Sequence, residues 1–178
     1  MNMSFRWEAA LVMLSLAIAV PGAAEGGWRA GVATADITPD GPLWLAGYAG
    51  RDRAAGGILH PLWVKALALE DAGGHRAVLV SSDLLGFPKS MSDRIRDRLQ
   101  ASLELERDQI LLNSSHTHSG PVLLDSLNGM YPLDEAQRDL IKAYSAQLED
   151  TIVDLVARAF DDLKPARLSS GNGLTRYA

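Results

Sequence analysis

Apolar residues recur along this chain at two spacings. "RAGVATADIT" (29–38) sets apolar and polar residues in turn, the period-two signature of a half-buried strand, and Thr38-Pro39-Asp40-Gly41 ends it. The Gly-rich stretch that follows reads as loop. "LWVKALALE" (62–70) alternates again, and Gly73-Gly74 just after it predicts a hairpin turn. "RAVLVSSD" (76–83) has an unbroken apolar centre, as expected of a buried strand in a parallel sheet. From Pro88 to Leu103 the spacing becomes helical, with Met91, Ile95, Leu99 and Leu103 on one face. "QILLNSSH" (109–116) is the next strand. Leu133 to Leu163 predicts one long or broken helix, with Leu140, Tyr144, Leu148, Ile152, Leu155 and Phe160 along one face, give or take a residue, and Pro165 stops it. "ARLSSGNG" (166–173) predicts a last short strand.

The centre of this pattern is strand, helix, strand. A crossover helix of that length makes the two strands parallel neighbours. The predicted class is therefore α/β: a mixed sheet with one parallel strand-helix-strand unit and long flanking helices. Asp83 and His116 then fall at the carboxyl ends of adjacent parallel strands, the rim where open α/β sheets bind ligands.

Composition limits the possibilities without choosing among them. The chain has 178 residues, 47% of them hydrophobic, which suits one domain with a real core and argues against disorder. The net charge is −5 with the basic residues scattered, so no nucleic-acid surface is indicated. The N-terminus changes the picture more. Arg6, an apolar run from Ala9 to Val20 and the small residues Gly22-Ala23-Ala24 follow the pattern of a secretory signal peptide, with cleavage expected after Ala24. The run is short of the roughly 20 apolar residues that span a bilayer. The chain is thus expected to be exported, to the periplasm or the medium. It has no cysteine, so its stability there must come from its core or from a metal.

Candidate chemistry concentrates in "NSSHTHSGP" (113–121), which holds two of the chain's four histidines. In extended chain, residues i and i+2 point the same way, so His116 and His118 can face one pocket while Thr117 turns away. Two neutral imidazoles there could both bind a divalent metal, or one could bind it while the other holds a substrate. Gly120 permits a close approach of ligand or backbone, and Pro121 fixes the exit. His60, in "GILHPLW", is a further candidate, the alternative being a packed loop histidine. Trp44, Tyr48 and Trp63 could line an apolar groove, though core and loop packing explains them as well. Asp36 is read as a turn cap. No serine lies in a nucleophile elbow.

Taken together, these stretches resemble the neutral, non-lysosomal ceramidases. "NSSHTHSGP" is similar to that family's histidine motif, "AGVATADIT" to its opening strand, and "LAGYAG" to its Gly-Tyr turn. "GILHPLWVKALALED" and "LVSSDLLG" are similar to the strands that follow, and "AFDDLKPARLSSGNG" to the end of its long helix. The resemblance implies a zinc-dependent amidohydrolase that cleaves the N-acyl amide of ceramide to sphingosine and fatty acid. It implies His116 as a zinc ligand and His118 as the catalytic neighbour beside the scissile amide. Asp83 would support the site from behind the ligand, or serve the fold. The family's members are several times longer, and supply a second zinc histidine, a glutamate, a tyrosine, a serine and a substrate-binding arginine from later sequence. The expectation is therefore an incomplete catalytic domain, residues 25–178, holding one zinc ion jointly with ligands outside this chain. Its partners would be a ceramide-like lipid amide, the missing C-terminal part and, peripherally, a membrane surface. Two other readings remain open: a metal-dependent hydrolase of another substrate on the same scaffold, and a non-catalytic exported binding protein.

Overall fold

A computed structural model describes residues 27–174. The proposed signal segment, residues 1–24, lies outside them. Five strands form one sheet: β1 (Trp28–Asp36), β2 (Trp63–Glu70), β3 (Arg76–Ser82), β4 (Ile110–Ser114) and β5 (Lys164–Ala166). Their order is β4-β3-β2-β1-β5, with β3 and β4 parallel and every other pair antiparallel. Helix α1 (Lys89–Leu103) makes the crossover between the parallel pair, as the spacing predicts. Helix α2 (Glu135–Asp161) runs unbroken. No helix among the described residues is long and apolar enough to cross a membrane.

The β2–β3 hairpin turns where Gly73-Gly74 predicts it. Gly74 has φ +80° and its N–H donates to the Asp71 carbonyl. Asp71 also accepts N–H donation from His75 and Gly73, and its carboxyl is held below the usual range, His75 contributing most. His75 itself is solvated.

Both helices cover the same face of the sheet. Val64, Ala66, Ala68, Val78, Val80 and Ile110 of the strands join Met91, Ile95 and Leu99 of α1 and Leu148, Ile152, Leu155, Val156 and Ala159 of α2 in one core. Arg94 of α1 donates from Nε and Nη2 to the Glu149 carboxylate of α2, tying the helices together. No described element covers the opposite face. Val32, Leu67, Leu79 and Leu111 lie side by side across four strands, and Val32 and Leu111 are 61% and 55% exposed. The continuous apolar centre of β3 therefore does not mean burial on both sides. Val78 and Val80 face the helices, and Leu79 belongs to the open row.

Two predicted details need correction. On α2, Leu140 is 48% exposed and Ile141 is 2% exposed. Strides of four drift around a helix of 3.6 residues per turn, so the buried line is Ile141, Ser145, Leu148, Ile152, Leu155 and Ala159. At the end of the chain, β5 is three residues long and starts before Ala166. Ala166 pairs with Trp28, so a strand running on through 167–173 would need partners upstream of Trp28. Pro165, which lacks an N–H, is tolerated because β5 is an edge strand.

Asp134 caps α2, its carboxylate accepting the Gln137 N–H at 2.7 Å. Asp134→Ala is expected to destabilise the protein by about 1 kcal/mol, read from the midpoint of urea unfolding. An unchanged midpoint would mean that the cap is not used in solution.

Candidate active site

The parallel pairing of β3 with β4 sets the rim. Ser82 lies opposite Ser114, and the Ser115 N–H still donates to the Ser82 carbonyl. The Ser82 hydroxyl is buried against the Asn113 carbonyl and the Ser114 hydroxyl, a packing role. Beyond Ser115 the chain leaves the extended conformation: His116 has φ +59°. A left-handed histidine is uncommon, and such backbones gather at functional sites. The rings of His116 and His118 lie 5.3 Å apart, centroid to centroid, at 70°. They are neighbours as expected, but a turn brings them together and not strand alternation.

His116 is exposed and oriented from behind. Its Nδ1 lies 2.8 Å from the Leu85 carbonyl oxygen, which can only accept, so Nδ1 carries the proton and Nε2 presents a lone pair. Metal-ligating histidines are commonly held in this way. The supporting group is thus a backbone carbonyl of the loop after β3. Asp83 makes its hydrogen bonds to the fold: its carboxylate accepts the Trp63 N–H at 3.0 Å and its own N–H donates to the Trp63 carbonyl. Asp83 extends the β2–β3 pairing to the rim and hydrogen-bonds neither imidazole among the described residues.

The approach that Gly120 permits is backbone on backbone. A Cβ there would stand 3.1 Å from the Asp83 carbonyl oxygen. The exit of the turn then pairs with a second loop. Ala46 N–H donates to the Gly120 carbonyl, Val122 N–H donates to the Trp44 carbonyl, and Leu45 bridges Pro121. This zipper carries Gly47, Tyr48 and Arg51 up to His118. The rings of Tyr48 and His118 are 4.5 Å apart, and Arg51 Nη2 donates to the His118 carbonyl at 2.6 Å. Beneath lies a second core of Leu43, Trp44, Ala46, Val122, Tyr131, Leu133 and Ile141. The Tyr131 hydroxyl accepts the Gly47 N–H at 2.8 Å.

The other candidates separate. Trp44 is core, Tyr48 lies exposed against the His118 ring and Trp63 sits half-exposed on the face away from the helices. His60 is exposed on the loop before β2. Asp36 accepts the Thr38 N–H at 2.8 Å, the turn cap expected, and Thr38 holds its carboxyl below the usual range. Gly47, Arg51 and the Leu85 carbonyl meet the histidines, and Tyr131 meets Gly47, only through long-range contacts, so their places at the rim carry no sequence signal of their own. The Gly-Tyr pair of "LAGYAG" is the nearest thing to one.

No group of three or more metal-capable side chains forms among the described residues, so the two imidazoles fall short of the three protein ligands usual at a catalytic zinc. What the residues present do fit is one position of such a site: an imidazole fixed by a hydrogen bond on Nδ1, with Nε2 left for a ligand.

A mixed sheet with helices on one face and an imidazole pair at the carboxyl end of its parallel strands defines the class, an α/β protein with its candidate site on that rim. Within the class, the chain belongs to the neutral/alkaline non-lysosomal ceramidase family, whose N-terminal model matches residues 28–177. It is 32% identical to the neutral ceramidase of Pseudomonas aeruginosa over 168 residues, which cover 92% of this chain and 25% of that protein. It is 27% identical to neutral ceramidase A of Dictyostelium discoideum over 155 residues, 84% of this chain and 21% of that one. The crystal structure of the Pseudomonas aeruginosa neutral ceramidase matches with a TM-score of 0.63 at 29% identity, over 79% of this chain and 22% of that one. A ceramidase complexed with C2 matches equally well. The chain spans about a quarter of the length of these relatives.

Proposed function

We propose that this chain forms part of an exported, zinc-dependent amide hydrolase of the ceramidase type, acting on a ceramide-like N-acyl lipid. The observation that carries the reading is the His116 Nδ1–H to Leu85 carbonyl bond, which leaves Nε2 free as a metal ligand. Membership of the family supports the substrate class. His116 would hold the ion together with residues from outside this chain. A bound zinc would supply a Lewis acid for the amide carbonyl and lower the pKa of water. His118, with its ring beside that of His116, would orient the amide and donate to charge growing on its oxygen. Its exposed neighbour Tyr48 would border the acyl chain. Export follows from the signal-like N-terminus, and contact with a membrane surface from a lipid substrate.

The test separates the two histidines. Zinc is titrated calorimetrically into the protein and into His116→Ala and His118→Ala, and fatty-acid release from a short-chain ceramide is followed in parallel. His116→Ala should lose zinc binding, while His118→Ala should keep it and lose any turnover. Zinc bound by wild type and retained undiminished by His116→Ala would sink the assignment. Turnover confined to a non-lipid amide would move the proposal to another substrate.

A further inference from the structure

We infer that the loop Gly47–Arg51 is the positioning device for His118. Arg51 and Tyr48 hold the imidazole in one orientation as the Nε2–H tautomer, so that a hydrogen-bond donor faces the rim beside the free lone pair of His116. The inference rests on the reading of this rim as the site and adds how its two like side chains are made unlike.

Three parts of one short loop meet the same histidine. Gly47 has φ +104°, and a Cβ on it would stand 2.6 Å from His118 Nδ1 and closer still to Cγ, so only glycine lets the loop lie against the ring. Tyr48 packs edge to face on the imidazole at 4.5 Å. Arg51 sits 5.3 Å from the Tyr48 ring centroid, and its Nη2 holds the His118 carbonyl. The guanidinium therefore fixes the backbone of His118 and, through Tyr48, its ring. A lysine cannot lie flat on the ring and aim a donor at the carbonyl together, because its ammonium is a point on a flexible stem. The loop is itself anchored by the Tyr131 hydroxyl and by the zipper at 44–46.

The tautomer follows from the inner nitrogen. His118 Nδ1 is buried and has no hydrogen-bond partner among the described residues. A proton there would be a donor with nothing to receive it, held against the Gly47 backbone. A bare nitrogen forgoes only an acceptor role and tolerates the Cα–H of glycine beside it. The proton belongs on Nε2. His116 has the reverse arrangement because the Leu85 carbonyl holds its Nδ1–H.

Long-range proton–nitrogen correlation spectra of the histidine rings test this on the metal-free protein, above the imidazole titration range. Wild type should show Nε2–H for His118 and Nδ1–H for His116. Arg51→Ala should turn the His118 pattern into a mixture of tautomers while His116 keeps its own, and Arg51→Lys should not restore it. An Nδ1–H pattern for His118 in wild type, or an unchanged pattern in Arg51→Ala, overturns the inference. If Arg51→Ala also disturbs His116, Tyr48→Leu decides by the same criterion, since it leaves the Arg51 bond to the backbone in place. Opposite tautomers in a protein whose zinc binding does not depend on His116 would sink the hydrolase reading and leave this one standing.

Discussion

Gly31→Ala is expected to destabilise the protein by about 3 kcal/mol or more, toward or beyond the upper end of what overpacking a core usually costs. Gly31 lies mid-strand in β1, opposite Ala68 of β2, on the face that α2 covers. Its missing side chain is where the helix end touches the sheet. A Cβ would overlap the Ala159 carbonyl oxygen and stand 2.9 Å from the Asp162 carbon and the Leu163 nitrogen. All three are backbone atoms, so no rotamer can relieve the contact. The helix end is also pinned: Asp162 N–H donates to the Arg158 carbonyl, the Asp162 carboxylate accepts the Val32 N–H at 3.2 Å, and Arg29 holds the Leu163 carbonyl at 3.2 Å. A glycine inside a strand commonly marks such an approach. The measurement is urea unfolding followed by circular dichroism. A loss below about 1 kcal/mol would mean that α2 can lift from β1 at little cost, contrary to this packing.

Ile141→Ala is expected to cost about 2–5 kcal/mol, while Leu140→Ala, one position away, should stay within about 0.5 kcal/mol. Ile141 is 2% exposed and packs in the core beneath the site with Trp44, Val122 and Tyr131. Removing its side chain leaves a cavity under the segment that supports Gly47 and His118. Leu140 faces solvent. Thermal melts of the two variants distinguish them directly. The reverse order would place the buried face of α2 one residue, or about 100°, from where the structure has it.

That pair shows how far the sequence reached. The spacing of apolar residues located α2 and its apolar character, yet a stride of four named Leu140 where alternating strides of three and four select Ile141. Along α1 the same stride stayed in phase, because Met91, Ile95 and Leu99 span few enough turns for the drift to remain small. Hairpin chemistry at Gly73-Gly74 gave the β2–β3 pairing, and the length of the crossover gave the parallel β3–β4 pair. The histidine motif was legible as chemistry from its residue types and its place at a strand end. Its geometry was not. His116 departs from the extended backbone that would have aligned it with His118, and the carbonyl that orients it belongs to Leu85, a residue whose side-chain type says nothing about its backbone.

By itself the sequence determined what depends on neighbours along the chain: strands, helices, turns, the α/β order of elements and the location of the imidazole pair. Tertiary structure decided what depends on residues far apart. It put both helices on one face of the sheet, set the phase of α2, and brought Gly47 and Arg51 to His118 across 67 residues in the case of the Arg51 bond. The physical reason is range. Periodicity and turn propensity act over a few bonds, whereas a hydrogen bond between two loops exists only after the sheet beneath them has fixed where both begin.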